Sequence, residues 1–474
     1  MNSKANNKDK DSFGSVYLKF VESYRSNLIL EMTAFSTQQK KKIFLFKSLT
    51  AARRKRQILQ STILFLMNER RTRLLRSLFV LQLFLTAFQS AVATLSAPRI
   101  RSCRRLARNT GWWNLVWSTY SEKRFKKTFR VTRQTFDLIH ERIKNDISKM
   151  RITEEPVSSE LRLAICLYRL SRGDYYHTIS ELTGIGEATV CNIIREVTKA
   201  IVKNLWREYV DAYFPSNNNL LVQKIREMEQ EWQFPYAYSA IDGCHIPMKC
   251  PPGGQEACKE FHNFKNFYSI VLMAMVDAGY RFIWASAGWP GNSHDAIIFQ
   301  ATNLYDQLVD GKAFPDVAFK ANDDVTIPPV ILGDSAFPFK PWLLKPYTNA
   351  TLTPEQSYFN YRLSRARMVT ECAYGQLKGR WRVLLRKSES SKETVRAVTL
   401  ACVILHNICI EHGDVACRNW DMSKDPGTNQ RRKPDEVQDL LMIRQCRPLH
   451  DKNSAASRVR DHLKDKFFAE KQHE

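Results

Sequence analysis

Residues 236–247 read YAYSAIDGCHIP, an apolar run that leads into the pair Asp242-Gly243. A short, continuous apolar run that is closed by turn-forming residues is typical of a buried β-strand. An acid that directly follows such a strand lies at the edge of a sheet, where the chain leaves it. We therefore predict a buried strand over residues 236–241 that presents Asp242 at its carboxyl end.

Three further apolar runs predict the remaining strands. Residues 267–276 and 280–287 are separated by Asp277-Ala278-Gly279, a turn sequence that predicts a β-hairpin. Residues 328–332, PPVIL, predict a fourth strand, and Gly333-Asp334-Ser335 follows it. A second acid, Asp334, is therefore also expected where a buried strand ends.

A helix with a third acid completes the pattern. Residues 364–378 predict a helix that carries Glu371. A hairpin beside two strands that end in acids, followed by an acid-bearing helix, matches a ribonuclease H-like core with a mixed sheet and flanking helices. We predict this α/β fold for residues 226–412.

The three acids suggest a metal centre. Clustered carboxylates repel one another, and divalent cations relieve that repulsion. Mg²⁺ and Mn²⁺ prefer oxygen ligands, and a pair of such ions supports phosphoryl transfer. Asp242, Asp334 and Glu371 are therefore the candidate catalytic and metal-binding residues. Taken singly, each has a plainer interpretation: a strand-ending turn for either aspartate, and a helix ion pair with Arg367 for Glu371.

Five ordered motifs resemble the PIF/Harbinger superfamily of transposases, which includes a host-domesticated nuclease. The resemblance implies a DDE nuclease whose acids fall on Asp242, Asp334 and Glu371, and it adds Asp295 as a fourth metal ligand. Capping of the helix that follows is the alternative role for Asp295. The motifs are IDGCHIP at 241–247, PGNSHD at 290–295, LGDSAFP at 332–338, FNYRLSRARMVTECAYGQLKGRWR at 359–382 and LHNIC at 405–409.

The same resemblance implies a function, a cofactor and partners. It implies a transposase or nuclease that cleaves or transfers DNA strands with Mg²⁺ or Mn²⁺. It also implies a Myb/SANT-like partner protein that binds DNA and promotes nuclear entry, and it leaves homo-oligomers open. We expect the nucleus as the location, with the cytoplasm as an additional one. A transposase-derived protein that binds DNA without cutting it is the alternative function.

A second pattern lies in the all-helical region predicted for residues 101–215. Within residues 158–204, a short helix, the turn Gly184-Ile185-Gly186 and a longer helix form a helix-turn-helix pattern. In that pattern the first residues of the longer helix enter the major groove of DNA. An ordinary helical hairpin is the alternative. The predicted DNA-reading residues are Glu187, Ala188, Thr189 and Asn192.

The charge of the chain favours a polyanionic partner. The formal net charge is +24, and residues 1–100, a basic N-terminal extension, hold 18 Lys/Arg against 5 Asp/Glu. Such a field attracts nucleic acid first and an anionic membrane surface second. Arg367, Lys378 and Arg380 are predicted to contact DNA phosphates, with a solvated helix face as the alternative.

Two further segments carry expectations. Residues 77–95 are apolar and about long enough to span a bilayer, but two glutamines and several hydroxyl residues weaken that interpretation. We expect a helix buried against other helices there, and no membrane partner. Residues 413–474 form a polar C-terminal tail of mixed charge, which we expect to be flexible apart from a helix near residues 437–444.

Overall fold

The structure is a computed structural model. The chain folds into two compact units, Met1–Ser102 and Cys103–Glu474. The helical region, the sheet and the C-terminal residues all belong to the second unit. The structure describes residues 21, 48–58, 81–90, 110–149, 156–251, 256, 258–314, 317–322, 325–444 and 446–473.

The first unit corrects one expectation. Of the apolar stretch 77–95, the structure describes residues 81–90, which form a helix. Most side chains of this helix are exposed, and Phe84 is 70% exposed. The expectation that the stretch is buried against other helices is therefore wrong for its described part, because most of these side chains are exposed.

The described residues in the N-terminal part of the second unit form six helices before residue 210. Ser121, Thr132 and Ser158 each accept a hydrogen bond from the backbone N–H three residues later, so each caps the helix that follows it. Gly184, at a left-handed φ of 65°, ends α5 and lets the chain turn into α6. The helices are α1 Thr110–Thr119, α2 Glu122–Phe129, α3 Arg133–Ile147, α4 Ser159–Arg172, α5 Tyr176–Thr183 and α6 Glu187–Tyr209.

A five-stranded mixed sheet follows the helix α7, Asn218–Trp232, with the strand order β3-β2-β1-β6-β7. The pairs β1–β2 and β2–β3 are antiparallel, whereas β1–β6 and β6–β7 are parallel. The predicted hairpin is confirmed, since Asp277 Oδ1 accepts hydrogen bonds from the backbone N–H groups of Gly279 (3.0 Å) and Arg281 (2.9 Å). The strands of this sheet are β1 Ala237–Pro247, β2 Ser269–Val276, β3 Phe282–Pro290, β6 Val330–Leu332 and β7 Leu343–Leu344, while β4 Phe319–Asn322 and β5 Val325–Ile327 pair separately.

Helices cover the sheet. A capping box at Thr353, with Pro354 in the first turn, starts α10. This long helix packs against β1, while α11 packs against β3 and α6. The mixed sheet with flanking helices, preceded by a helical region, is consistent with the predicted ribonuclease H-like α/β class. The helices of this part are α8 Asp295–Gln300, α9 Asn303–Val309, α10 Pro354–Arg380 and α11 Lys392–Glu411.

Among the described residues, α11 alone is long and apolar enough to cross a membrane. About two thirds of its most apolar window is buried inside the protein (67%). It packs between the sheet and α6, so its composition is that of a core helix.

Helices of the C-terminal residues pack against the rest of the second unit. The helix α13 (Ser454–His473) buries Ala456, Val459, Leu463 and Phe467 against α10 and the sheet. The shorter helix α12 (Pro434–Leu440) buries Val437 near the predicted position. The expectation of a flexible tail is therefore wrong. Its polar composition concealed a narrow apolar stripe at helical spacing.

The backbone around residue 420 lies directly on α10. A Cβ added at Gly379 would lie 1.5 Å from the carbonyl oxygen of Trp420, which is far inside any real contact. Only a glycine allows this approach, because a backbone atom cannot move aside as the end of a side chain can.

We predict that Gly379→Ala destabilises the protein by roughly 3 kcal/mol or more, since the overpacking exceeds the gain in helix propensity of about 1 kcal/mol. Urea unfolding measures the effect. Gly186→Ala is the control, because no atom lies within 4 Å of its added Cβ, and it should cost less than about 1 kcal/mol. Equal losses in the two variants would contradict the close approach at Trp420.

Candidate functional site

Asp242 lies inside a strand, not at its end. Antiparallel pairing with β2 continues through Pro247, which extends β1 past the acid and corrects the predicted boundary. Parallel pairing with β6 stops earlier, at Ala240 opposite Leu332. Two residues further along both strands, Asp242 and Asp334 occupy the same level of the sheet. The predicted position of the two acids at one level of the sheet agrees with this register. Asp242 lies at that level because the pairing of β1 with β6 ends there, and not because β1 itself ends.

The Asp242 carboxylate is buried and held at both oxygens. Its Oδ2 lies 3.2 Å from Nη2 of Arg367, and its Oδ1 accepts a hydrogen bond from the backbone N–H of Gly243 at 2.7 Å. Burial raises the pKa of Asp242 well above its usual range. Arg367 opposes this rise, and the negative charges of Asp334 and Asp295 add to it. The three aspartates therefore lie within electrostatic range of one another.

Asp334 is the most open of the four candidate acids. It directly follows β6 and is partly exposed. Its Oδ1 accepts a hydrogen bond from the backbone N–H of Ala336 at 2.9 Å, which fixes the turn after the strand. The predicted turn role and a place beside the other aspartates are both consistent with this geometry.

Asp295 is fully buried at the start of α8. The cap of α8 is His294, whose side chain accepts from the backbone N–H of Ala296, so the alternative role of Asp295 as the cap is wrong. A Cβ at Gly243 would lie 2.8 Å from Oδ1 of Asp295, so only a glycine in β1 leaves room for this carboxylate. Burial raises the pKa of Asp295 to about 6, against the opposing charge of Arg444.

Glu371 projects from the middle of α10 and is 7% exposed. Its Oε1 accepts a hydrogen bond from Nε2 of Gln438 at 3.2 Å. Burial raises the pKa of Glu371, and the hydrogen bond from Gln438 opposes the rise. Arg367, four residues earlier on the helix, makes its ion pair with Asp242. The alternative role of Glu371, an ion pair with Arg367 within the helix, is therefore not observed.

The donor set suits a hard divalent cation, which prefers carboxylate oxygens. Asp295 Oδ1 and Glu371 Oε2 are buried and have no hydrogen-bond partner among the described residues, and such orphaned oxygens are typical of a site that takes a cation. In the part of the chain that the structure describes, however, no three acids, histidines or cysteines are yet close enough to share one ion. Arginines take one oxygen of Asp242 and approach one of Asp295, so these side chains must reorient to share a cation.

Two of the predicted phosphate contacts are buried. The ammonium group of Lys378 donates to the carbonyl oxygens of His245 (2.8 Å) and Leu441 (2.5 Å). Arg380 donates to the carbonyl oxygens of Arg130 and Asp414. Both side chains are therefore structural, and the expectation that they contact DNA is corrected because the protein interior occupies their donors. Arg367 remains partly exposed beside Asp242.

The predicted DNA-reading residues lie together on the surface. They occupy the first turns of α6 and their side chains are exposed, whereas Val190, Ile193 and Val197 on the opposite face are buried. Glu187 accepts a hydrogen bond from His177 of α5, and Asn192 accepts one from Arg195. The residues are Glu187, Ala188, Thr189 and Asn192.

Sequence reasoning missed the contribution of the C-terminal residues to this site. Gln438 contacts Glu371, while Arg444 and Cys446 contact Asp295. A helix near these residues was predicted, but nothing in its composition connects it to acids more than 60 positions earlier in the chain. The signal that could have indicated them is the unusual run of apolar residues, LLMI, within a polar tail.

Comparison with known proteins agrees with the motifs. Residues 241–407 match the family described as DDE superfamily endonuclease. The Arabidopsis thaliana protein named "Protein ALP1-like" is 28% identical over 360 residues, which cover 73% of this chain and 87% of that protein. The Rattus norvegicus protein named "Putative nuclease HARBI1" is 25% identical over 289 residues, which cover 60% of this chain and 75% of that protein. No solved structure matches the chain significantly. The resemblance inferred from the five motifs is confirmed.

His245, three residues after Asp242, is a buried neutral histidine. Its Nδ1 lies 3.0 Å from the Ser269 hydroxyl, and Nε2 has no partner among the described residues. Burial lowers the pKa of His245 to about 3, and the nearby cations Arg444, Lys378 and Lys265 lower it further. The ring is therefore uncharged in the folded protein at neutral pH.

We predict that His245 makes stability fall as the pH drops below about 6.5, because the unfolded chain then binds a proton that the folded ring does not. The contribution of His245 to the free energy of unfolding is complete above the pKa that the ring has in the unfolded chain. It decreases by roughly 1.4 kcal/mol per pH unit as the pH falls toward the pKa of the ring in the folded protein. Urea unfolding between pH 7 and about pH 4 should show a shallower pH dependence for His245→Phe than for the wild type. Parallel curves would show that the folded ring binds a proton as readily as the unfolded one, which would contradict the prediction.

Proposed function

We propose that this chain, whose residues 241–407 match the family described as DDE superfamily endonuclease, cleaves or transfers DNA strands by metal-dependent phosphoryl transfer. Asp242, Asp334 and Glu371 would be the catalytic acids, with Asp295 as a fourth ligand. The observation that carries the proposal is the convergence of three aspartates from separate segments, each within electrostatic range of another.

Each residue has a distinct task in this proposal. A divalent ion held by these acids, Mg²⁺ or Mn²⁺, would supply electrophilic stabilisation of the charge that develops on the phosphoryl group. Asp334, which is partly exposed, lies where substrate can approach. The burial of Asp242 and Asp295 excludes water around them and strengthens their interaction with any cation. Arg367 lies beside Asp242, close enough to contact a phosphate.

The helix-turn-helix supports DNA binding in the same proposal. The exposed first turns of α6 are suited to the major groove, and the net charge of +24 favours a polyanion. A Myb/SANT-like partner, homo-oligomers and a nuclear location remain predictions. A transposase-derived protein that only binds DNA is the alternative that the first experiment below separates from a nuclease.

We predict that the full-length protein nicks supercoiled plasmid with Mg²⁺ or Mn²⁺, and that Asp334→Asn lowers the rate at least about a hundredfold, because the metal contributes several kcal/mol to the barrier. Asp334 is chosen for the substitution because it is partly exposed, so that its replacement leaves the packing of the hydrophobic core unchanged. Agarose gel electrophoresis of the plasmid measures the rate.

The matched control is Asp310→Asn, the same change at an exposed aspartate that pairs only with Lys312 in the described structure. It should nick as fast as the wild type. An Asp334→Asn variant with unchanged activity would contradict the proposed site. A wild type that binds plasmid without nicking it in either metal would favour the DNA-binding alternative.

We predict that α6 reads base sequence. Selection of duplexes from a random-sequence DNA library should enrich a motif with the wild type, and enrichment should disappear with the pair Thr189→Ala and Asn192→Ala, since each base-reading contact is worth about 1–3 kcal/mol. Lys199→Ala, an exposed change further along the same helix, is the control and should keep the motif. The same motif from both the pair and the wild type would show that another surface reads the DNA.

A further inference from the structure

A C-terminal segment lies along the free edge of β1, next to the acids. We call it the C-terminal strap and define it as residues 434–444 and 446–449. Ile443 forms an antiparallel bridge with Cys244. The backbone N–H of His245 donates to the carbonyl oxygen of Met442 (2.9 Å), and that of Arg444 donates to the carbonyl oxygen of Gly243 (3.0 Å). The strap thus occupies the edge that β1 presents after its pairing with β6 ends at Ala240.

The strap contacts two of the four acids and the residue that follows a third. Gln438 donates to Glu371, and the thiol of Cys446 lies 3.3 Å from Oδ2 of Asp295. The backbone N–H of Leu449 donates to the carbonyl oxygen of Ser335, the residue after Asp334. The strap therefore lies where it can respond to a change at the acids.

Arg444 is the charged residue of this contact. Its side chain is 2% exposed, and its Nη1 lies 3.2 Å from Oδ1 of the fully buried Asp295. Its Nη2 donates to the carbonyl oxygen of Ser293. Its Cδ lies beside Gly243, so the aliphatic part of the side chain packs on β1.

The ion pair is incomplete. Among the described residues, Nε and Nη1 of Arg444 and Oδ1 of Asp295 have no hydrogen-bond partner. A buried ion pair is favourable only when good geometry and further hydrogen bonds offset the loss of hydration. Here the guanidinium neutralises the carboxylate without satisfying it, so a cation of higher charge can compete for the same oxygen.

We propose that the guanidinium group of Arg444 occupies the position beside Asp295 that a divalent cation would take. This one residue of the strap thereby sets the affinity of the acid site for metal. The proposal rests on the proposed function, because it assumes that the acids bind metal. Removing the guanidinium removes a positive charge close to the carboxylate in a medium of low dielectric constant, which favours an incoming dication.

The strap is suited to release Arg444. Met442, two residues earlier, has φ 54°, in the left-handed region where a residue with a side chain is strained by about 1–2 kcal/mol. The hydrogen bond from His245 and the bridge at Ile443 hold this conformation while the strap is docked. Arg367, by contrast, is 18% exposed beside Asp242, so its side chain borders solvent.

The test measures Mn²⁺ affinity of metal-free, full-length protein by the electron paramagnetic resonance signal of free Mn²⁺. Arg444→Gln should bind Mn²⁺ at least about tenfold more tightly than the wild type, as expected for loss of a nearby unit charge. Arg447→Gln, the same change at an exposed residue of the same strap, should leave the affinity unchanged. Asp295→Asn added to Arg444→Gln should abolish the gain.

The outcomes separate this proposal from the proposed function. Equal or weaker Mn²⁺ binding by folded Arg444→Gln, with binding by the wild type, overturns only the role of Arg444. Binding by Arg444→Gln but not by the wild type supports that role. No binding by either protein overturns both the role of Arg444 and the metal-dependent function.

A second measurement uses the wild type alone and does not depend on the folding of a variant. Hydrogen exchange of the backbone N–H groups of His245 and Arg444 reports the two hydrogen bonds that dock the strap on β1. Saturating Mn²⁺ should accelerate this exchange, because the metal displaces Arg444 and loosens the strap. Slower or unchanged exchange on Mn²⁺ binding would overturn the proposal.

Discussion

The site depends on the unequal pairing of β1. One edge of this strand pairs with β2 up to Pro247, so the strand continues through Asp242 and beyond. The other edge pairs with β6 only as far as Ala240. Neighbouring parallel strands that stop pairing at the same level leave a gap at their carboxyl ends, and ligand sites in open α/β sheets lie at such places. Asp242, Asp295 and Asp334 lie within electrostatic range of one another there, because the backbone pairing of β1 with β6 ends at that level.

Burying several carboxylates at this gap has an electrostatic cost that the protein offsets with arginines. Asp242 pairs with Arg367 from α10, and Asp295 faces Arg444 from the strap. Neither arrangement is complete, since atoms of Arg367, Asp295 and Arg444 lack hydrogen-bond partners among the described residues. Buried polar groups are normally satisfied, and the exceptions tend to mark functional places. The incompleteness is therefore itself an indication that the acids serve a ligand.

Sequence reasoning identified the elements that depend on local patterns. The hairpin at Asp277, the turn at Gly184 and the order of strands and acid-bearing helix follow from turn chemistry and hydrophobic periodicity, which act over a few residues. It failed where distant segments meet. Lys378 and Arg380 look like a solvated basic helix end, yet both are buried under C-terminal residues. Periodicity reports which face of a helix is apolar, but not which segment later covers it.

The same limit applies to the extent of the catalytic unit. The family match ends at residue 407, whereas contacts to the acids continue to Cys446. Lys378 connects the parts physically: its buried ammonium group donates to His245 in β1 and to Leu441 in the strap. A buried ammonium requires such acceptors, because unsatisfied it would be strongly destabilising. Once α10 places this lysine behind β1, the interior is complete only when the strap supplies the second carbonyl. The strap is therefore part of the core that positions the acids.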